Sequence, residues 1–126
     1  MKAALIAGAV AMGLAVILGA FGAHGLKHRL PDPSLMAVYQ TGVQYHFYHA
    51  IGLLCVGLLG CQTSNHIGLY WVTGLMLLGI LLFSGSLYLM AITNLRWLGA
   101  ITPIGGVAFI IAWIWLVVWL LKLKTA

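Results

Sequence analysis

The chain has 126 residues, of which 63% are apolar and only 6% are charged, and its formal net charge is +5 at pH 7. Ordinary soluble domains carry about 25% charged residues, and six basic residues with one acid cannot cover a soluble core of this length. The composition therefore excludes a water-soluble monomer and predicts an integral membrane protein. The basic residues stand at the ends of apolar runs, which is typical of helix anchors and excludes a nucleic-acid surface.

The first apolar run covers residues 3–23 and contains no ionisable side chain. About 20 residues cross the hydrocarbon core, and the run is longer than the ~7 to 15 residues of a signal-peptide core. We therefore expect a retained spanning helix. Small residues recur at every fourth position and predict a close, right-handed crossing with another helix: Ala3, Ala7, Ala11, Ala15, Gly19 and Ala23.

A proline-rich break separates the first run from the second. Asp32 is expected to cap a new helix, with Pro33 in its first turn, where a missing N–H costs nothing. Residues 34–42 show a mixed helical pattern, which predicts a short interfacial helical segment. The second span is predicted to follow at residues 43–61.

The second span must include histidines. Its purely apolar part, residues 50–61, provides only about 18 Å of helix, which is too short for a hydrocarbon core of about 30 Å. About two further turns are needed upstream, and these carry His46 and His49 below the headgroups. Intramembrane ionisable groups usually face the protein interior or a hydrated cleft, so at least His49 is expected to do so.

Two further spans are predicted at residues 67–91 and 98–121. Tryptophans crowd the last run and Lys122 and Lys124 close it, as in an aromatic belt with snorkelling lysines. The sequence thus predicts one all-α transmembrane domain over residues 1–126, a four-helix bundle of two helical hairpins in series. Small residues predicted to pack helices together are Ala7, Ala11, Ala15, Gly19, Gly85, Gly105 and Gly106.

Simple topology collects the polar residues at one side of the bilayer. The end of span one, the start of span two, the end of span three and the start of span four lie on that side. The candidate binding residues there are His24, Gln44, Tyr45, His46, His49, Ser84, Ser86, Tyr88 and Thr102. The opposite half offers almost only apolar residues, so any site is expected in this polar half.

The chemistry available to this cluster is limited. Catalysis by paired carboxylates is excluded because the chain has one acid, and no phosphate-binding loop or nucleophile elbow is present, so we expect no enzyme. His46 and His49 are three residues apart and could begin a metal or haem site, but further ligands would be needed. We expect no cofactor, and histidines that hydrogen-bond across the bundle.

Four stretches of the sequence are familiar in combination: LGAFGAHGL at 18–26, TGVQYHFYHAIGLL at 41–54, FSGSLYLMAI at 83–92 and TPIGGVAFIIAW at 102–113. Together they resemble the YgdD-like family of small bacterial inner-membrane proteins, over nearly the whole chain. The resemblance implies a four-span bundle and a domain of unknown function, without an activity. The family's recurrent motifs fall on His24, Gln44, Tyr45, His49, Ser84, Gly85, Ser86, Tyr88, Thr102, Pro103 and Gly106.

The leading functional hypothesis is a non-catalytic protein of the bacterial inner membrane, whose polar half binds a lipid headgroup or a membrane-protein partner. The alternatives are a homo-oligomeric ion or proton channel, and metal or haem binding at His46 and His49. Basic residues are almost equally divided between the two ends of the bundle. We expect both termini in the cytoplasm and therefore the polar half on the periplasmic side.

Overall fold

The computed structural model describes residues 1–123, and all of its regular structure there is helical, which confirms the predicted all-α class. Lys124 lies outside this range. Three helices are long and apolar enough to cross a membrane. The remaining helix is equally long, but its first half contains glutamine, tyrosine and histidine. We number the four helices α1 (Lys2–Leu26), α2 (Leu35–Cys61), α3 (Ile67–Thr93) and α4 (Arg96–Lys122).

Two helices contain a widened π turn. In α1 it forms the carboxyl end, Gly22–Leu26. In α3 it lies in the middle, at Ile80–Ser84, between regular α-helical segments. Such turns are uncommon and are frequently found at functional sites, because one extra residue per turn redirects the side chains that follow.

Helix α4 begins with a tight 3₁₀ turn, Arg96–Ala100, and continues as a regular helix over Thr102–Lys122. Pro103 falls in the first turn of that regular helix, where its missing N–H breaks no hydrogen bond. Pro103 therefore marks the start of the regular helix and does not interrupt it.

The start of α2 differs from the prediction. The helix runs unbroken from Leu35, so no separate interfacial segment precedes it. Asp32 lies in the turn just before the helix, where its Oδ1 accepts a hydrogen bond from the Ser34 N–H at 2.9 Å, as a capping side chain does. Within the helix, the Tyr39 hydroxyl donates to the Leu18 carbonyl at 2.5 Å and holds this part of α2 against α1.

Successive helices pack as antiparallel neighbours, α1 on α2, α2 on α3 and α3 on α4. At one end of the molecule Met1 lies against Gly60, and Trp119 lies against Gly68. At the other end the contacts join the carboxyl ends of α1 and α3 to the amino ends of α2 and α4. We call this second end the polar half and the first end the apolar half.

The α1–α2 contact is formed by small residues. A side chain at Gly8 would meet the backbone nitrogen of Leu54 at 2.9 Å, and one at Gly57 would meet that of Leu5 at 3.0 Å. The buried positions of α1 are Ala4, Gly8, Ala11, Ala15, Gly22 and Leu26. These positions follow the 3.6-residue period of a straight contact line.

The positions of the predicted four-residue stripe differ in burial along the helix. Ala11 and Ala15 are buried, Ala7 and Gly19 are half-buried, and Ala3 and Ala23 are exposed. A strict four-residue step rotates about 40° around the helix each time, which carries its outer members away from the neighbouring helix. Gly8 replaces Ala7 as the position of closest approach.

The glycines predicted in α3 and α4 have different environments. Gly105 is buried, and a side chain there would collide with the backbone of Phe83 in the π turn of α3. Gly106 lies beside the ring of Phe83. A Cβ added at Gly106 would lie 3.6 Å from that ring. Gly85 meets no neighbouring helix within that reach, so it does not pack one helix against another.

Two clusters of buried apolar residues stabilise the two halves. The apolar half contains the larger cluster, which includes Leu53, Val56, Leu69, Val72, Met76 and Leu116. The smaller cluster in the polar half consists of Leu26, Leu35, Tyr39 and Ala91. The polar half therefore depends more on hydrogen bonds between helices, and these build the candidate site.

Candidate functional site

The fold separates the predicted polar residues into a buried layer and an exposed face. His46, His49, Ser84 and Ser86 are buried, and Tyr88 and Thr102 are half-buried beside them. Gln44, Tyr45 and His24 are exposed. The residues that the topology places at one end of the molecule are therefore not one cluster, and the two groups have different chemical surroundings.

His49 connects α2 to α4 and has both ring nitrogens occupied. Its Nδ1–H donates to the Tyr45 carbonyl at 2.7 Å, and its Nε2 accepts from the indole N–H of Trp113 at 3.1 Å. An indole nitrogen can only donate, so this arrangement requires the neutral tautomer with the proton on Nδ1. The imidazole also stacks on Phe109, with ring centres 3.4 Å apart.

His46 connects α2 to α3. Its Nδ1 shares a hydrogen bond of 2.9 Å with the hydroxyl of Tyr88, and its buried ring also lies close to the Ala11 backbone of α1. The ring of Tyr88 packs against that of Tyr39, with centres 5.1 Å apart. Because Tyr39 also bonds to Leu18, one continuous set of contacts joins α1, α2 and α3.

The two histidines therefore have different partners on different helices and do not converge on one point. Within the described residues, no group of three or more histidine, cysteine, aspartate or glutamate side chains could hold a metal ion. A ligand at His49 would also have to displace either Trp113 or the Tyr45 carbonyl from a ring nitrogen. The geometry gives the metal and haem hypothesis no support.

The serines of α3 differ from each other. Ser86 and Thr102 are joined hydroxyl to hydroxyl at 2.6 Å, which connects α3 to α4, and Ser86 also donates to the Phe83 carbonyl at 2.9 Å. Ser84 closes the π turn, is fully buried, and has an Oγ without a partner among residues 1–123. An unpaired buried hydroxyl is costly, so Ser84 is a polar group of this layer that the protein itself leaves unsatisfied.

Of the three exposed residues, only Gln44 lines an open groove of about 580 Å³ between α1 and α2. Tyr45 instead packs against Phe83 of α3, with ring centres 4.7 Å apart. The α1 side of the groove is lined by Gly19, Gly22 and Ala23, and its α2 side by Met36, Ala37, Tyr39, Gln40, Thr41, Val43, Gln44, Phe47 and Tyr48. None of these residues carries a formal charge. Small residues on one wall and neutral hydrogen-bonding groups on the other give a shallow, uncharged polar surface, which we call the α1–α2 groove.

Sequence reasoning found only part of this groove. Gln44 and Gly19 were singled out, whereas Gln40, Thr41 and Tyr48 were missed. The available signal was the spacing of Gln40 and Gln44, four residues apart on one face of a helix. His24 was predicted in the site, but it is exposed on the π turn of α1 and does not line the groove.

An ion pair joins two connectors above the polar half. Arg96 lies 3.3 Å from Asp32, and both side chains are well exposed. The Ser34 backbone N–H lowers the pKa of the Asp32 carboxyl, and the charge of Arg96 lowers it further. The pair joins the first connector to the start of α4, and because both groups are exposed its effect on stability is small.

Comparison with known sequences shows the family to which this chain belongs. A family described as a protein of unknown function, DUF423, matches residues 18–106. The chain belongs to the DUF423 family. The UPF0382 membrane protein YwdK of Bacillus subtilis strain 168 is 56% identical over 94% of this chain and 95% of its own length. No solved structure matches.

Other relatives match over a similarly large share of both chains. A UPF0382 membrane protein of Staphylococcus epidermidis ATCC 12228 is 49% identical over 97% of this chain and 98% of its own. The UPF0382 membrane protein SSP2132 of Staphylococcus saprophyticus is 46% identical over 98% of this chain and 100% of its own length. The predicted membership of an uncharacterised membrane-protein family is confirmed, and none of these names indicates a catalytic activity.

Proposed function

We propose that this DUF423 protein is a non-catalytic, four-span protein of the bacterial inner membrane that binds the polar headgroup of a lipid in the α1–α2 groove. One observation carries the proposal. The groove exposes neutral hydrogen-bonding side chains, among them Gln40 and Gln44, on the outer surface of a helix that is otherwise built for lipid. The resemblance to YgdD-like proteins supports the same span number and membrane.

The depth of the groove fits a headgroup. Helix α2 has 27 residues and is therefore about 40 Å long, against a hydrocarbon thickness of about 30 Å. If Cys61 marks the far edge of the hydrocarbon, about 20 spanning residues reach back to the neighbourhood of Gly42. Gln44 then lies at the edge of the hydrocarbon, and Gln40 and Thr41 lie at the level of the headgroups.

The chemistry of the groove also fits. A glutamine side chain offers two donors and an acceptor, and tyrosine and threonine hydroxyls offer both, which suits glycerol hydroxyls and phosphate-ester oxygens. A polar side chain exposed to hydrocarbon without a partner is costly, so Gln44, at the edge of the hydrocarbon, gains most from an occupant with hydrogen-bonding atoms. Small residues on the α1 wall, such as Gly19 and Ala23, leave the groove open beside α1.

Membrane orientation belongs to this proposal. Lys2 and Lys122 stand at the end that carries the amino terminus, and Lys27, Arg29 and Arg96 at the other. We propose cytoplasmic termini, which places the α1–α2 groove in the periplasmic leaflet. A membrane-impermeant thiol reagent applied to whole cells distinguishes the two orientations, using His28→Cys in a background with Cys55 and Cys61 replaced by serine. Labelling supports the proposal, and protection overturns the orientation.

The binding proposal is tested by lipid retention. The double variant Gln40→Leu, Gln44→Leu removes the amides while keeping similar volume, and Gln62→Leu is a matched control in the connector of the apolar half. Native mass spectrometry of protein released gently from detergent counts bound lipid. We expect the double variant to lose its lipid adducts and the control to keep them. Unchanged adducts overturn the lipid proposal, and loss of a co-purifying protein instead favours a protein partner.

A second candidate, a proton path in a homo-oligomer, is favoured by one observation. The buried layer contains His46 and the Oγ of Ser84, which has no partner among residues 1–123, and intramembrane histidines are common in proton relays. Proton flux into proteoliposomes between pH 5 and 8 tests it. Flux that His46→Gln abolishes supports this candidate, and the absence of flux at every pH removes it.

A further inference from the structure

A second groove lies at the opposite end of the molecule, between the start of α3 and the end of α4. It encloses about 600 Å³, and apolar side chains form most of its wall. Trp71 of α3 and Trp115 of α4 line it together with Ile111, Ile114 and Val118. Both tryptophans are exposed, so nothing within residues 1–123 covers this surface. We call it the α3–α4 groove.

The mouth of this groove is polar. An adjoining cavity of about 380 Å³ is lined by Thr63, Asn65, Trp119, Lys122 and Leu123, and it shares Asn65, Trp119 and Lys122 with the apolar groove. Trp119 is buried between the two because Gly68 has no side chain to displace its indole ring. The apolar groove thus adjoins a polar cavity that is lined by the ammonium group of Lys122.

The positive charge of Lys122 at the mouth of the groove favours an anionic occupant. Asp32 is the only acidic side chain in the sequence, and it lies in the polar half, paired with Arg96. Lys122 therefore has no carboxylate side chain to neutralise it at the apolar end. A basic side chain at the mouth of a lipid-facing groove favours an anionic headgroup, and flanking tryptophans favour the interface at which that headgroup lies.

We propose that the α3–α4 groove binds one anionic phospholipid, with its phosphate on Lys122 and Asn65 and an acyl chain along Trp71, Ile114 and Trp115. This site lies at the other end of the molecule from the α1–α2 groove and is independent of the function proposed there. The two grooves differ in chemistry, because the α1–α2 groove offers neutral amides and the α3–α4 groove offers a cation beside an apolar surface.

The test compares lipids in nanodiscs of phosphatidylglycerol and phosphatidylcholine, with relative association measured by spin-labelled analogues of each. The wild-type chain is expected to prefer phosphatidylglycerol, and Lys122→Gln should lower that preference about fivefold, the effect of one cation near an anionic membrane surface. Lys2→Gln is the matched control, because Lys2 lies at the same end outside the groove. Equal effects of the two variants, or no initial preference, overturn the proposal.

A second variant tests the seat of the acyl chain. Val118 is exposed in the groove, so Val118→Trp fills the channel without disturbing buried packing. We expect reduced association of both labelled lipids, whereas Lys122→Gln affects the anionic lipid alone. Unchanged association in Val118→Trp contradicts the assignment to this groove. The Gln40→Leu, Gln44→Leu variant should leave the phosphatidylglycerol preference intact, so failure of one proposal is separable from failure of the other.

Discussion

The two halves of the molecule hold their helices together by different means. In the apolar half, α1 approaches α2 at Gly8 and Gly57, where side-chain carbons would meet backbone atoms. In the polar half, the helices are joined by hydrogen bonds between side chains, such as those from His46 to Tyr88 and from Ser86 to Thr102. Lipid provides no hydrophobic force between helices, so close packing and interhelical hydrogen bonds are the two available means. Both halves use close packing, as at Gly105 in the polar half, and the polar half adds hydrogen bonds between side chains.

This difference indicates how each half should respond to substitution. The apolar half should tolerate changes among apolar residues that face lipid and reject added volume at its glycines. The polar half should respond to the loss of single polar atoms, because each loss leaves a partner unsatisfied. The following predictions test that contrast, from the largest expected effect to the smallest.

The largest effect is expected from Gly8→Leu. Its Cβ would lie 2.9 Å from the Leu54 backbone nitrogen, which cannot move aside as a flexible side chain could. Overpacking of this kind costs about 1–3 kcal/mol, and the melting temperature in detergent should fall accordingly. Gly13→Leu is the control on the same helix, since nothing lies within 4 Å of its added carbon. Equal tolerance of both variants would contradict the close contact.

His49 and Trp113 should show coupling in a double-mutant cycle. His49→Phe keeps an aromatic ring on Phe109 but leaves the indole N–H of Trp113 without its acceptor. Each single change to phenylalanine should lower the free energy of unfolding by about 1 kcal/mol. The double variant should lose less than the sum, with a coupling of about 0.6–1.7 kcal/mol. Strict additivity would show that the bond contributes nothing.

Tyr88→Phe removes only the hydroxyl that meets His46 Nδ1. Interhelical hydrogen bonds in membranes average about 0.6 kcal/mol, so a small loss of stability is expected. Tyr70→Phe is the control, because Tyr70 is an exposed tyrosine in the apolar half. Reversible unfolding in mixed micelles resolves the two variants, and an equal loss in both would remove the assigned role of the His46–Tyr88 bond.

The smallest effect concerns the Asp32–Arg96 pair. The pKa of Asp32 is lowered chiefly by the Ser34 N–H and also by Arg96, so its contribution to stability is fully present above about pH 4 and lost as the pH falls below it. Both groups are exposed, so the effect should be confined to the connectors. Hydrogen exchange of residues 27–34 should quicken between pH 5 and 3 in the wild type, after correction for the intrinsic rate. Asp32→Asn should abolish that change.

Much of the fold could be predicted from the sequence, because long uncharged runs have few stable environments other than lipid. The runs that became α1, α3 and α4 are recognisable by length and composition alone. Residues 34–42 were also recognised as helical, but the sequence did not show that this segment continues unbroken into the span or that Tyr39 bonds to Leu18. The pattern of neighbouring residues does not show which distant residue a side chain such as Tyr39 will contact.

The candidate site was predicted in its location but not in its arrangement. Topology correctly brought His46, Tyr88, Ser86 and Thr102 to one end. It could not show that Trp113, assigned to an aromatic belt, reaches inward to His49, since the two are 64 positions apart in the sequence. Nor could it show which polar residues face outward, because that depends on the rotation of α2 against α1.

The central claim is that the polar half contains a buried layer that holds the helices together and a separate outer groove that binds lipid. Melting temperature and bound-lipid count, measured together on His49→Phe and on Gln40→Leu, Gln44→Leu, test it most directly. We predict that His49→Phe lowers the melting temperature and keeps its lipid, whereas the glutamine variant loses its lipid and melts as the delipidated wild type does. Lipid loss in His49→Phe with full retention in the glutamine variant would contradict the account.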